Sequence, residues 1–318
     1  MALKLVNGKA SLEVRALSRT VLSWRSRRGW SLAELEKQVG FSAAKLSMLC
    51  TASQRFSTVD VIKIGNACGA DDEEVELCVR AAQRAYDPKM WDRINGDAWP
   101  RLTWTYWDIA AEATELVIVA MDALPELVRT EPYHAAMLKA GATAHELDIK
   151  LKEELLARLA LDTRKAARSG NLGPLRVQLI ISEPVLASRV GGSRVMADQM
   201  RRLEELNELP GFEITVVDNE AGPYYGMGTS FTVMRFVERR FDDVVHVRTP
   251  HHDSWLESEA ERLPYERVLD ALAEVTRTRA RSSCCLSRNA IMLQDPMPSD
   301  RSENERPTSR AFRPSVVR

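Results

Sequence analysis

Residues 31–49, SLAELEKQVGFSAAKLSML, specify two short helices joined at one glycine. Ser31 followed three residues later by Glu34 has the form of a capping box, in which each residue satisfies a free N–H at the helix start. Leu32, Leu35 and Val39 recur at helical spacing. Gly40 stands where a helix ends in the left-handed conformation. Ser42 then caps a second helix, with Leu46 and Leu49 expected inward. The small Ala33 is placed on the face where the two helices cross closely.

The flanking sequence completes a bundle. Val14, Leu17, Val21 and Trp24 form one apolar stripe, stopped at Gly29 behind Arg25, Arg27 and Arg28. Val59, Ile62 and Ile64 suggest a fourth helix. Asp71 caps a fifth, with Val75, Cys78, Val79 and Ala82 inward. The expectation for residues 1–85 is an all-helical domain of five short helices. Pro88, Gly96 and Pro100 then break the pattern, so 86–103 reads as a linker. Its aromatics Trp91 and Trp99, with Trp104, Tyr106 and Trp107 beyond it, are expected to pack it onto its neighbours.

Residues 104–281 mix helix and strand. Helices are expected at 146–168, 193–209 and 263–280, and strands at 175–181, 212–217, 230–237 and 243–247. Strands that fall between helices and then cluster favour an α+β fold over a parallel doubly wound sheet. The whole is expected to be α+β: a helical N-terminal domain followed by a mixed domain of helices and antiparallel sheet. From Ser282 to Arg318 Arg, Ser, Pro, Asn and Asp dominate without apolar periodicity, which predicts a disordered tail.

Charge and composition narrow the function. The net charge of the 318 residues is −1, but residues 1–63 hold eleven Lys and Arg against four acids, a local +7 that leaves −8 for the rest. A basic front on an acidic body suits one domain that meets phosphate and another that does not. The five cysteines (50, 68, 78, 284, 285) are odd in number and have no metal-ligand spacing, so reduced thiols are expected. No apolar run reaches the about 18 residues of a membrane span. Met1 to Ala10 carries no apolar secretion segment, so a cytoplasmic location and no membrane contact are expected. His134, His145, His246, His251 and His252 show no zinc spacing, and adjacent residues such as His251, His252 and Asp253 face apart. There is no Gly-x-Ser-x-Gly elbow, and Gly226-x-Gly228 lacks the strand and helix of a nucleotide fingerprint. No enzyme activity, metal or cofactor is expected.

The pair of helices predicts double-stranded DNA as a partner. In such a unit the first helix crosses the backbone and the second puts its N-terminal residues in the major groove. Ser42, the free N–H groups of the second helix and Lys45 are expected at phosphate. Arg55 is placed for the adjacent backbone. Leu32-Ala-Glu-Leu35, Val39-Gly40 and Leu46-Ser47 before Leu49 resemble the Xre/Cro-type helix-turn-helix family over about residues 14–70. The resemblance implies a DNA-binding set of Ser31, Ser42, Ala43, Ala44, Lys45, Ser47, Met48 and Arg55. Where that family usually has Glu, followed shortly by Gly, this chain has Cys50 and Ala52. Ala43, Ala44 and Met48 occupy positions that often hold Gln, Ser or Arg, and none of the three makes bidentate base contacts. Specificity then leans on Ser47, Lys45, DNA shape or the spacing of a homodimer.

The later sequence resembles the regulatory domain of actinobacterial antitoxin-like regulators. The matches run in order: Glu112-Ala113, the Leu124–Thr130 run, Tyr133, Arg158-Leu159-Ala160, Leu175–Glu183, Gly191-Gly192, Met196, Gln199, Ala221-Gly222 and Phe231-Thr232. Glu126 departs, standing where that family has Gly. The resemblance implies a regulator often encoded beside a small partner protein. Glu183, directly after a strand, and Tyr224 and Tyr225, in a glycine-rich loop, are the candidate ligand or partner residues. A module acting mainly by protein contact and a small-molecule-responsive receptor stand as the alternatives.

Overall fold

The computed structural model describes residues 10–85, 106–141, 174–237, 241–248, 253–276, 282, 284 and 286. The expected linker with Trp91 and Trp99, then Trp104, the helix at 146–168, His145, His251, His252, Cys285 and nearly all of the tail lie outside them.

Five helices form the N-terminal bundle: α1 (Leu12–Arg27), α2 (Leu32–Val39), α3 (Ala43–Cys50), α4 (Thr58–Cys68) and α5 (Asp72–Arg84). Helices of eight residues are marginal alone in water, so α2 and α3 depend on the core they share. Leu17, Val21, Trp24, Leu35, Val39, Leu46, Leu49, Val61, Ile64 and Val75 build it. Each start is fixed locally. Ser31 and Ser57 form capping boxes with Glu34 and Asp60, and Ser42 and Asp71 accept the N–H three residues on. Gly40, at φ 69°, makes the α2–α3 turn. Two expectations are corrected. Ala33 is exposed, because Leu35 and Val39 supply the buried face of α2. In α4 the buried stripe is Val61, Ile64 and Cys68, leaving Val59 56% and Ile62 41% exposed.

The second half is a six-stranded sheet sandwiched between helices. Its elements are α6 (Tyr106–Glu112), β1 (Glu115–Ala120), α7 (Glu131–Lys139), β2 (Arg176–Ser182), α8 (Glu183–Ala187), α9 (Ser193–Asn207), β3 (Phe212–Val217), β4 (Phe231–Arg235), β5 (Val244–Arg248), β6 (Asp253–Leu256) and α10 (Glu259–Val275). The strand order is β3-β2-β1-β4-β5-β6. β1, β2 and β3 run parallel, whereas β4, β5 and β6 join antiparallel. The fold is therefore α+β with a helical N-terminal domain, but the sheet is mixed where an antiparallel one was expected. The central strand β1 escaped the sequence reading. Buried on both faces from Leu116 onward, it reads as an unbroken apolar run, LVIVA after Glu115, without period-two alternation. One face of the sheet packs Leu116, Ile118, Leu179, Ile181, Ile214 and Met234 against Tyr133, Met196, Met200 and Leu203. The other packs Val117, Val119, Val233 and Val245 against Val268 and Leu272 of α10.

Residues of the ordered sequence matches act as a polar staple here. Gln199 is fully buried; its oxygen accepts the Thr130 N–H at 2.7 Å and its amide donates to the Val128 carbonyl at 2.8 Å. Arg129 Nε donates to the Leu124 carbonyl at 2.7 Å. The tail boundary is also corrected. Ser282 Oγ accepts the Val216 N–H of edge strand β3 at 3.1 Å, and Leu286 is buried in the core.

The two halves meet along the first turns of α1. Leu12 belongs to the core of the second half, while Ala16, Leu17 and Val21 belong to that of the first. Leu12 N–H donates to Glu257 at 2.7 Å. Arg15, 2% exposed, bonds Glu112 at 2.7 Å and lies 4.2 and 4.1 Å from the ring centres of Phe236 and Phe241. The Glu257 residue is only part-buried, yet its carboxyl end is enclosed by this seam. Burial pushes that carboxyl up to about 7; Glu13 and Asp242 push the same way, against the Leu12 N–H and Arg15. A carboxyl raised in the folded state keeps its proton after the unfolded chain has lost it. Its favourable contribution is thus greatest below the unfolded value of 4.5 and is lost as pH rises through about 7. Thermal melts from pH 5 to 8 should show the wild-type midpoint falling across that window relative to Glu257→Gln, whereas parallel curves would show that Glu257 is not the titrating group.

Candidate nucleic-acid interface

The exposed face of α3 is a row of small, uncharged side chains: Ala43, Ala44, Ser47 and Met48, the last 38% exposed. Leu46 and Leu49 on the opposite side are fully buried and fix the helix's rotation. Thr51 continues the row, its hydroxyl bonded to the Ser47 carbonyl at 2.9 Å. The structure brings Ser42, Ala43, Ala44, Ser47 and Met48 together on one surface. Ser31 lies at the start of α2, where its hydroxyl is engaged by the Glu34 N–H at 3.2 Å.

Lys45 and Arg55 are placed differently from the expectation of free phosphate ligands. Lys45 Nζ bonds Asp60 Oδ1 at 2.5 Å, and Asp60, its side chain 6% exposed, closes the capping box of α4 with Ser57. Lys45 thereby supplies the counter-charge for a buried carboxylate. Arg55 Nη1 donates to the Ala85 carbonyl at 3.2 Å, which ties the α3–α4 loop to the end of α5. Two arginines at the end of α1 are likewise engaged by groups of the bundle. Arg27 pairs with Glu74, and Arg28 Nε donates to the Cys68 carbonyl at 2.6 Å.

Two residues outside the expected set shape this surface. Glu36 of α2 accepts the Ala43 N–H at 3.0 Å, so a carboxylate occupies the first free N–H of α3. Phe41 is flanked by two ammonium groups: Lys45 at 3.9 Å and Lys63 at 5.5 Å from its ring centre. Lys63 is exposed and therefore carries positive charge beside α3. The seven-residue separation of Glu36 from Ala43 across a turn has no local signal. Lys63 shows in the sequence only as one of the eleven basic residues of the front.

Glu183, Tyr224 and Tyr225 all lie at the carboxyl edge of the parallel strands. Glu183 accepts the Asn219 N–H at 3.2 Å, linking the ends of β2 and β3. Tyr224 OH donates to Met121 Sδ at 3.4 Å, just past the end of β1. Ser230 closes the same edge: its hydroxyl accepts the Met121 N–H at 2.9 Å and donates to Asp122 at 2.6 Å. Tyr225 and Met227 stand out, 55% and 65% exposed. Among the described residues no group of three His, Cys, Asp or Glu is arranged to hold a metal, and no helix is long and apolar enough to cross a membrane.

A Ser-capped α3, packed across α2 within five helices and exposing its outer row, defines a helix-turn-helix domain of the kind found in DNA-binding regulators. Residues 16–77 match the family described as helix-turn-helix domain. Residues 104–288 match the domain of unknown function DUF5753; that match takes in more than half of the chain, and the chain belongs to this family. No curated protein and no solved structure matches the chain.

Because a phosphate approaching α3 meets the Glu36 carboxylate, Glu36→Gln should strengthen binding. One charge pair at about 4 Å in water is worth about 1 kcal/mol, roughly a fivefold change in affinity. Fluorescence anisotropy on a mixed-sequence duplex at low salt measures this; equal or weaker binding would place the phosphate elsewhere.

Proposed function

We propose that this chain is an Xre-type, antitoxin-like transcriptional regulator of the cytoplasm. It works as a homodimer that sets two copies of α3 into successive major grooves about 34 Å apart. The observation that carries the reading is the exposed row Ala43, Ala44, Ser47 and Met48 with Lys63 at its flank. Small neutral side chains let a helix sit deep in the groove, and an alanine there touches a thymine methyl. Affinity then comes from backbone charge and sequence preference from DNA shape. The second half serves partner or effector binding, with a small protein encoded nearby as the partner and the edge holding Glu183, Tyr224 and Tyr225 as the binding surface. The reading assigns the chain no catalytic step, cofactor or metal.

A second reading is a module that acts mainly by protein contact. The engagement of Lys45 by Asp60 and of the Ala43 N–H by Glu36 favours it, since both subtract from the attraction for phosphate. Co-purification of a small partner without retained DNA would favour this second reading over the first.

Salt dependence separates them. Under the first reading log K falls linearly with log salt concentration, and Lys63→Ala reduces that slope by about 1 while weakening all duplexes alike. Titrations of the full chain against duplexes at several salt concentrations measure both. No low-salt attraction to any duplex sinks the regulator reading, and an unchanged slope removes Lys63 from the interface.

A further inference from the structure

The recognition helix α3 ends in a Schellman motif: the Ser53 N–H reaches the Met48 carbonyl at 2.8 Å and the Ala52 N–H reaches that of Leu49 at 3.2 Å. The motif needs a left-handed residue, and it is Ala52, at φ 52°, the one non-glycine with positive φ among the described residues. An alanine there is strained, whereas glycine is not. Such strain persists only where the surroundings over-determine it.

The surroundings here belong partly to the other half of the molecule. Ala52 is 4% exposed, in a small apolar cluster with Ala10, Val14 and Ala85, and Phe241 packs against that cluster. Phe241 lies in the β4–β5 connection and pairs with Ala10 through an isolated parallel β-bridge. The same stretch of α1 reaches α3 again: Ser18 Oγ lies 2.9 Å from the Val14 carbonyl oxygen and 2.5 Å from that of Leu49.

We propose that this seam is an allosteric coupling element: Phe241 holds Ala52 left-handed and so fixes the last turn of α3. Ala52 supplies the two-state element that coupling requires. With Phe241 packed on the cluster the Schellman motif closes; with Phe241 withdrawn, Ala52 relaxes to the right-handed region, the motif opens and the exposed row of α3 turns. A ligand or partner that shifts Phe241 would change DNA affinity without touching the helix-turn-helix. The effect on DNA rests on the regulator reading; the coupling itself does not.

Hydrogen exchange on the full chain tests the coupling directly. Phe241→Ala should speed exchange of the Ala52 and Ser53 amides about tenfold while leaving those of Val75 to Ala82 in α5 unchanged. Adding Ala52→Gly should restore slow exchange, because glycine holds the left-handed conformation unaided. Should Phe241→Ala fold poorly, Phe241→Leu gives a smaller acceleration at the same two amides. Unchanged exchange at Ala52 and Ser53, or an acceleration spread evenly over α1–α5, overturns the proposal. Anisotropy with a mixed-sequence duplex of about 20 base pairs at about 50 mM salt supplies the second arm. There Phe241→Ala should shift affinity at least threefold and Ala52→Gly should reverse it. Faster exchange with unaltered affinity overturns the link to DNA, and a wild type that binds no duplex fails the regulator reading while the exchange result still decides the coupling.

Discussion

Burial of the first turns of α1 between two cores is the interaction on which the rest of the molecule depends. Leu12 packs with the sheet domain and Leu17 with the helical bundle, a little over one turn apart on the same helix. A rigid helix shared in this way cannot move in one core without disturbing the other, since packed interiors do not deform continuously. Arg15 makes the junction polar as well as apolar. Its guanidinium is removed from water, and the two acceptor oxygens of Glu112 are divided between Arg15 and Arg19 at 2.7 and 2.9 Å. Burial lowers the Arg15 pKa from its ordinary value while Glu112 opposes that shift. A pair of this kind selects one arrangement more than it stabilises it, because desolvation offsets much of the attraction.

The basic residues of the helix-turn-helix half are drawn into contacts, most of them within the bundle itself. Here Arg15, Arg27, Arg28 and Lys45 are all engaged by groups of the protein itself. The local excess of basic residues in the sequence is therefore a poor measure of the charge available to a phosphate backbone. Glu36 at the start of α3 adds to the same effect. The surface that results is less cationic and more apolar than its composition suggests, with Val59 and Ile62 of α4 also exposed.

The carboxyl edge of the sheet shows a comparable economy. Glu183, set down from the sequence as a ligand candidate, holds the ends of β2 and β3 together through the Asn219 N–H. Tyr224 is turned toward Met121, whereas Tyr225 and Met227 remain on the surface. This edge is where the parallel strands end and β4 returns antiparallel beside β1. Its side chains therefore combine a structural closure with an exposed aromatic and thioether pair.

What the sequence determined by itself were features that depend on neighbours within a few residues. The capping box at Ser31, the cap at Ser42, the turn at Gly40 and the buried stripe of Leu35, Val39, Leu46 and Leu49 follow from short-range hydrogen bonds and helical period, and they stand in the structure as read. The strands at Phe212 and Phe231 were legible from β-rich runs bounded by turn residues. Only the tertiary structure decided the parallel half of the sheet, the central strand at Glu115–Ala120, the exposure of Ala33, Val59 and Ile62, and the partners of Lys45, Arg55 and Glu36. It alone joined Leu12 to Glu257 across 245 residues of chain. Period and capping are properties of a segment, whereas which face meets which, and which charge meets which, are settled by distant segments competing for the same surface.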